Sequence, residues 1–175
     1  MKLKIRQEEA RDYKKVAEII ENAFKKEHFS DHQEQFLVER LRNSKDFIPE
    51  LSMVAELNGE VVGQILLSKI KISNSTTSFD SLALAPVSVA PEYQQQGIGG
   101  ELIRSAHKKA KELGYRSILL LGHDTYYPRF GYELTSKYDI SLPFDIPEKY
   151  CMILSLIEGG LDGVHGIVEY PEEFY

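Results

Sequence analysis

Gln94-Gln95-Gln96-Gly97-Ile98-Gly99-Gly100 decides how this chain is read. The stretch lies between a run rich in valine and leucine, residues 82–89, and a segment, 98–113, whose apolar residues recur at helical spacing. A buried strand followed by a glycine turn and a helix start makes an anion site. Glycine lets the backbone approach a ligand closely, and the first amides of a helix have no partner inside it. The helix dipole adds positive potential at the same end, which favours a phosphate or pyrophosphate. Spacing removes two common phosphate loops. The dinucleotide fingerprint needs a third glycine where this chain has Leu102. The Walker A loop needs Gly-Lys-Ser/Thr, and no lysine occurs between Asp80 and Ala106.

What remains is Gln-x-x-Gly-x-Gly over residues 94–99, and a second motif, Tyr127-Pro128-Arg129-Phe130-Gly131-Tyr132, further along. The first resembles the pyrophosphate loop of the GNAT N-acetyltransferases, Gln/Arg-x-x-Gly-x-Gly/Ala. The second is similar to the Tyr-x-x-x-Gly-Phe segment of the same superfamily. Val89-Ala90-Pro91-Glu92-Tyr93 leads into the first motif, and Leu121-Gly122-His123-Asp124-Thr125-Tyr126 into the second. That run resembles a bacterial subgroup described as predicted acetyltransferases. The motifs cover residues 82–132, and the element order covers most of the chain. The resemblance implies an α/β GNAT fold: a mixed, mostly antiparallel central sheet, helices on both faces, and a splayed, bulged fourth strand. It implies one N-acetyltransferase domain over 1–175. Residues 1–52 would form an acceptor wall, 53–132 an acetyl-CoA-binding core, and 133–175 the C-terminal strands.

Composition agrees with a small globular protein. The 175 residues suit one compact domain. Apolar residues are 42 % and charged residues 27 %, both ordinary for a globular protein. A net charge of −6 gives nucleic acid no basic footprint. Lys108, Lys109 and Lys111 cluster on one helix and read as a solvated face. The single cysteine, Cys151, excludes a disulfide framework within one chain and stands in an apolar run as a small buried hydrophobe. The N-terminus is too short and polar for a signal peptide, and no apolar run approaches the ~20 residues of a membrane span. The expectation is a cytoplasmic protein with no membrane or nucleic-acid partner.

Patterning gives the elements. Residues 2–6 alternate as a half-buried strand, and 8–24 carry Tyr13, Val16, Ala17, Ile20 and Phe24 at helical spacing. Residues 25–29 form a connection. Ser30 with Gln33 reads as a capping box for a second helix with Phe36, Leu37 and Leu41 on its apolar side. Residues 47–51 contain Pro49 and read as loop. Strands 53–57 and 61–67 flank Asn58-Gly59, the strongest short hairpin signal, and the second strand can extend to Ile72. Residues 74–78 are a polar turn before the buried strand at 82–89. Pro86 cannot donate to a ladder there, which implies a bulge. A helix with Ile98, Leu102, Ile103, Ala106, Ala110 and Leu113 on one face ends at Gly114 as C′ with Tyr115 as its hydrophobic partner. A strand at 118–121 and a short helix at 126–130 follow. The tail reads as strands 152–157 and 164–170 joined by a glycine-rich turn.

The implied chemistry is acetyl transfer from acetyl-CoA to a primary amine by direct attack in a ternary complex, an acyl transfer other than amino-acyl transfer. Residues Gln94, Gln95, Gln96, Gly97, Ile98, Gly99 and Gly100 would bind the pyrophosphate of coenzyme A. Backbone groups of Val87, Ser88 and Val89 would bind the pantetheine arm. An amide of Val89 or Val87, the choice left open, would hold the oxyanion. Tyr127 matches the family's general-acid tyrosine, and a phenol near ~10 can protonate a thiolate near ~8.5 without a large mismatch. Many family members place a glutamate on the fourth strand as base, but residues 81–89 contain no carboxylate and Asp80 stands just ahead. A protonated amine near ~10.4 must lose a proton before attack. A water chain, His123, or the Glu27-His28 and Asp31-His32 segment are the candidates. His28 and His32 lack the zinc pattern His-Glu-x-x-His, so no metal is expected. A non-catalytic acyl-CoA-binding or sensor module on the same fold is the alternative, and an ATP-binding domain a weaker third. The amine acceptor is unassigned. A homodimer is open, since the tail strands can pair between copies or within one chain.

Overall fold

The computed structural model describes residues 2–28 and 30–175; the parts of the expected N-terminus and first connection that fall on Met1 and Phe29 lie outside them. The chain forms two compact units. One holds the chain up to Ser68 together with Ala85–Lys109, the other Lys69–Leu84 together with Ala110–Tyr175.

In the first unit β1 (Leu3–Gln7) pairs antiparallel with β2 (Phe47–Leu57), which pairs antiparallel with β3 (Glu60–Ser73). The turn is Asn58-Gly59, with φ of 52° and 84° and Leu57 opposite Glu60. Both central residues of this hairpin turn need positive φ, which Asn-Gly supplies. Residues 47–51 are strand, not the loop expected from Pro49. Phe47 lies opposite Ser68 and Ser52 opposite Leu66, with an irregularity between. The exposed Pro49 falls in that irregular stretch, where the strand needs no ladder N–H.

A 3₁₀ turn (Ala10–Asp12) leads into α1 (Tyr13–Phe24), which buries Val16, Ile19 and Ile20. Arg6 of β1 holds Asp12 through two bonds, 2.7 and 2.9 Å, and Asp12 accepts the Glu9 amide at 2.8 Å. Arg6 keeps the Asp12 carboxyl below the usual carboxylate range. The second helix, α2 (Glu34–Arg42), starts later than Ser30 suggests, with Gln33 at its N-cap. The Ser30 hydroxyl instead accepts the His32 amide at 2.9 Å and donates to Glu34 Oε2 at 2.5 Å. Val38 and Leu41 form its buried side, while Phe36 is exposed.

Strand β3, strand β4 (Ser78–Val89) and helix α3 (Ile98–Glu112) each run from one unit into the other. In the first unit Ala90 N–H donates to Val62 C=O at 2.8 Å. A Cβ on Gly63 would stand 3.0 Å from Leu102 Cδ1 and 3.1 Å from the Ser88 carbonyl, so α3 lies directly on the β3 backbone there. Ile98, Leu102, Ile103, Ala106 and Ala110 are buried, as the periodicity predicts; Leu113 lies past the helix end and is exposed. Gly114, at φ 92°, donates to Lys111 C=O and Tyr115 to Ala110 C=O, both 3.0 Å, a Schellman ending on the expected glycine.

In the second unit β4 runs parallel to β5 (Ser117–Leu121), with Leu82 opposite Ile118 and Ala83 opposite Leu119. The Ser81 and Ser117 hydroxyls meet at 2.7 Å. Among the described residues this parallel register covers those two pairs and stops short of Pro86. The expected parallel pair is thus present where α3 makes the crossover. Two short strands, β6 (Glu133–Leu134) and β7 (Ile140–Ser141), fall where no pattern of residues predicts them. The tail strands β8 (Cys151–Ser155) and β9 (Gly166–Glu169) are joined by a turn with Gly159 and Gly163 at positive φ. They do not pair with each other: β8 lies between β5 and β6, and β9 pairs with β3 and β7. Cys151 is free and buried, and burial raises its thiol pKa. The architecture is α/β with mostly antiparallel strands. Among the described residues no helix is long and apolar enough to cross a membrane.

Candidate active site

The glycine loop belongs to the first unit. Pro91–Tyr93 is a single 3₁₀ turn; the chain then reverses through Gln95 at φ 62° and Gly97 at φ 84° before α3 begins at Ile98. Nothing lies within 4 Å of a Cβ built on Gly97, so its glycine is required by conformation, not by crowding. Gly97 C=O accepts the Glu101 amide at 3.1 Å, the first bond of the helix. Among the described residues no amide from 95 to 100 makes a backbone–backbone bond outside the helix ladder. Residues 94–97 are exposed, while Ile98 and Gly100 are buried. The result is a row of unspent donors at the positive end of a helix of 15 residues, the arrangement that holds a phosphate.

Gln94 does something the sequence reading missed. Its Nε2 donates to Val89 C=O at 3.0 Å, tying the start of the loop to the end of β4. That carbonyl is therefore occupied in this structure. Along β4 burial alternates: Pro86 and Ser88 are buried, Val87 and Val89 half-buried. The Ser88 hydroxyl accepts from Gln64 Nε2 of β3 at 3.0 Å, both residues being almost wholly buried.

The second motif belongs to the second unit. Tyr127–Phe130 is a 3₁₀ turn with Tyr126 at its N-cap, close to the short helix expected at 126–130, and it ends on Gly131 at φ 96°. His123 is exposed, and its carbonyl accepts the Tyr126 and Tyr127 amides at 3.2 and 3.4 Å. It thus braces the turn through its backbone. Tyr127 packs edge-on to Tyr126 at 5.0 Å and to Tyr132 at 5.9 Å. Loss of solvent, then the neighbouring Tyr126, raises the Tyr127 phenol well above its ordinary range. The proton is thereby kept on Tyr127 throughout the neutral range, but the phenol is a weaker acid than an exposed one. The sequence reading gave Gly122 no role of its own. A Cβ there would lie 2.7 Å from Tyr127 Cδ2, so the ring occupies the space glycine leaves.

His28 and His32 do not share a helix. Helix α1 ends at Phe24, α2 starts at Glu34, and His32 has φ 59°. Among the described residues no group of three or more His, Cys, Asp or Glu is arranged to hold a metal. A cavity of about 210 Å³ is lined by Glu21, Asn22, Lys25 and His32 at the end of α1.

A strand, a glycine turn with free amides and a helix start, in an α/β protein, make an arrangement that suits a phosphate-bearing ligand. Residues 4–135 match the family described as an acetyltransferase (GNAT) domain, and the chain belongs to that family of N-acetyltransferases. YjhQ of Escherichia coli K12, named an uncharacterized N-acetyltransferase, is 36 % identical over 123 residues, 70 % of this chain and 68 % of that protein. The crystal structure of the E. coli GNAT family N-acetyltransferase YhbS in complex with CoA is similar at TM-score 0.89 and 27 % identity, over 99 % of this chain and 92 % of that one. A GNAT family acetyltransferase from Brucella melitensis, in complex with acetyl-CoA, is similar at TM-score 0.82 and 32 % identity, over 99 % of both chains.

Proposed function

We propose that the chain transfers the acetyl group of acetyl-CoA to a primary amine. One observation carries the reading: the unbonded amides of residues 95–100 at the start of α3. They suit the pyrophosphate of coenzyme A, and the CoA and acetyl-CoA complexes of YhbS and the Brucella protein support the same ligand. Bound acetyl-CoA supplies a thioester, an acyl group activated toward amines. Gln95, Gln96, Gly97, Ile98, Gly99 and Gly100 donate backbone N–H groups to the phosphates. Gln94 fixes the loop through Val89, and the half-buried stretch of Val87, Ser88 and Val89 offers backbone groups to the pantetheine arm. An amide of Val87 or Val89 holds the carbonyl oxygen as charge gathers on it.

Tyr127 donates to the departing sulfur. Its raised pKa makes it a hydrogen-bond donor that arrives protonated. His123, exposed at the entry to the same turn, is the candidate to take the proton of the incoming amine. The cavity at Glu21, Asn22, Lys25 and His32 lies in the segment assigned to the acceptor wall; its mixed charge does not select one amine class.

Calorimetric titration with acetyl-CoA, with ATP and NAD as controls, tests the ligand. Selective binding of acetyl-CoA is expected, and thiol release with a panel of primary amines then tests the reaction. Binding without turnover on any amine would favour a sensor module, a reading that the lack of a carboxylate at 81–89 keeps in view. No binding by the folded protein would end the enzyme reading.

A further inference from the structure

Gln64 is a polar residue where an apolar one would pack. It lies on β3 and is 2 % exposed, and its neighbours Val62, Ile65 and Leu66 are wholly buried. Its Nε2 donates to Ser88 Oγ at 3.0 Å. Among the described residues this is the one side-chain hydrogen bond that Gln64 makes, and its carboxamide oxygen accepts none. Nor is that oxygen sealed from solvent: among the described residues the buried side-chain atoms without a partner are Glu34 Oε1, Gln35 Oε1 and Ser68 Oγ. Gln64 is thus buried almost completely, with its carboxamide oxygen left without a protein donor.

The surroundings say what it waits for. Gln64 bonds Ser88, which lies in sequence between Val87 and Val89, and an amide of one of these two is proposed to hold the reacting carbonyl. Side chains alternate along a strand, so Gln64 points away from the α3 side that Gly63 faces. Residues 81–89 carry no carboxylate, so β4 itself offers no side-chain acceptor of that kind for the hydrogens of the attacking nitrogen. We infer that the Gln64 carboxamide oxygen accepts a hydrogen bond from the attacking amine and, with Ser88 fixing its orientation, aims the nitrogen lone pair at the thioester carbonyl. A carboxamide takes no proton at neutral pH, so Gln64 orients the amine and another group deprotonates it. This assignment rests on the acetyl-CoA reading.

Two analogues of the acyl end test it without knowledge of the natural amine. CoA alkylated with iodoacetamide carries –S–CH₂–CO–NH₂, and its S-acetonyl counterpart carries –S–CH₂–CO–CH₃. They differ only in N–H donors beside the carbonyl. Calorimetry on the wild-type protein should show tighter binding of the amide by about fivefold, the worth of one neutral hydrogen bond. Gln64→Met should abolish that preference while binding the acetonyl analogue as the wild type does. Gln64→Glu, which keeps an acceptor, should retain it. A preference that survives Gln64→Met, or is absent from the wild type, would overturn the assignment. Equal weakening of both analogues by Gln64→Met would reduce Gln64 to a packing role and overturn it too. Failure of both analogues to bind the wild type, when dephospho-CoA and CoA also fail, would remove the acetyl-CoA reading itself.

Discussion

Single residues carry the sharpest expectations. Tyr127→Phe deletes one oxygen from a ring held by Tyr126 and Tyr132. Turnover should fall roughly a hundredfold or more, the usual weight of general acid–base catalysis, while calorimetric affinity for acetyl-CoA stays within about twofold. Unchanged turnover would take Tyr127 out of the mechanism. Gly122→Ala should imitate it from behind, because the new Cβ displaces the Tyr127 ring; kcat should fall with little change in acetyl-CoA affinity. His107 of α3 makes a pH prediction. Loss of solvent, then Arg104, lowers its pKa from 6.5 to about 4. The unfolded chain therefore binds a proton over that interval that the folded chain refuses. Stability should be full above pH 6.5 and decline as pH falls toward 4, by about 3 kcal/mol. Urea melts at pH 7 and pH 4.5 measure it, and His107→Gln should flatten the difference. At this scale the sequence was legible where a residue's conformation is its function, as at Gly97 and Gly114. It was silent on Gln64, whose meaning depends on Ser88, 24 residues later. A polar residue in a strand reads as a solvent face until its neighbour is known.

Elements were legible in proportion to their length and periodicity. Helix α3 announces itself by five buried residues on one face, and the β2–β3 hairpin by Asn58-Gly59. The two-residue strands β6 and β7 have no period to detect, and their pairing is decided by β8 and β9. Pro49 misled because a proline demotes a strand, yet here it occupies the gap in register between Phe47 and Ser52. Ser30 misled because it satisfies capping spacing while the chain turns once more before α2. The phosphate loop was readable as an element, but the Gln94–Val89 tie was not, since several glutamines in a row share one appearance. The prediction at this scale concerns β9. Gly166 has φ 136°, and a Cβ there would collide with the Ser73 carbonyl oxygen and approach its carbon to 2.6 Å. Gly166→Ala should part β9 from the end of β3 and cost about 2–4 kcal/mol, read as a lowered denaturation midpoint. A midpoint within experimental error of the wild type would show that the strand can shift at no cost.

For the molecule entire, the expected signature is linkage. A ligand that binds only the folded chain stabilises it by about 2.7 kcal/mol at a hundred times its Kd. For a chain of this size that is a rise in Tm of roughly 5–10 °C with acetyl-CoA, and none with NAD. An equal rise with both would point to unspecific anion binding. The pairing of β9 with β3 has a consequence for how the protein comes into being. Lys71 lies opposite Glu169 and Ile72 opposite Val168. On the ribosome, Lys71 emerges about a hundred residues before its partner, so the far half of β3 waits with an open edge while the rest of the chain is made. Asn74 is positioned to end that wait, since its side chain donates to the His165 carbonyl at 2.9 Å just ahead of β9. Strand β9, made well after β3, is thus the one that closes the apolar seam of Ile72 and Val168, and a nascent chain stalled before it would present Ile72 to chaperones.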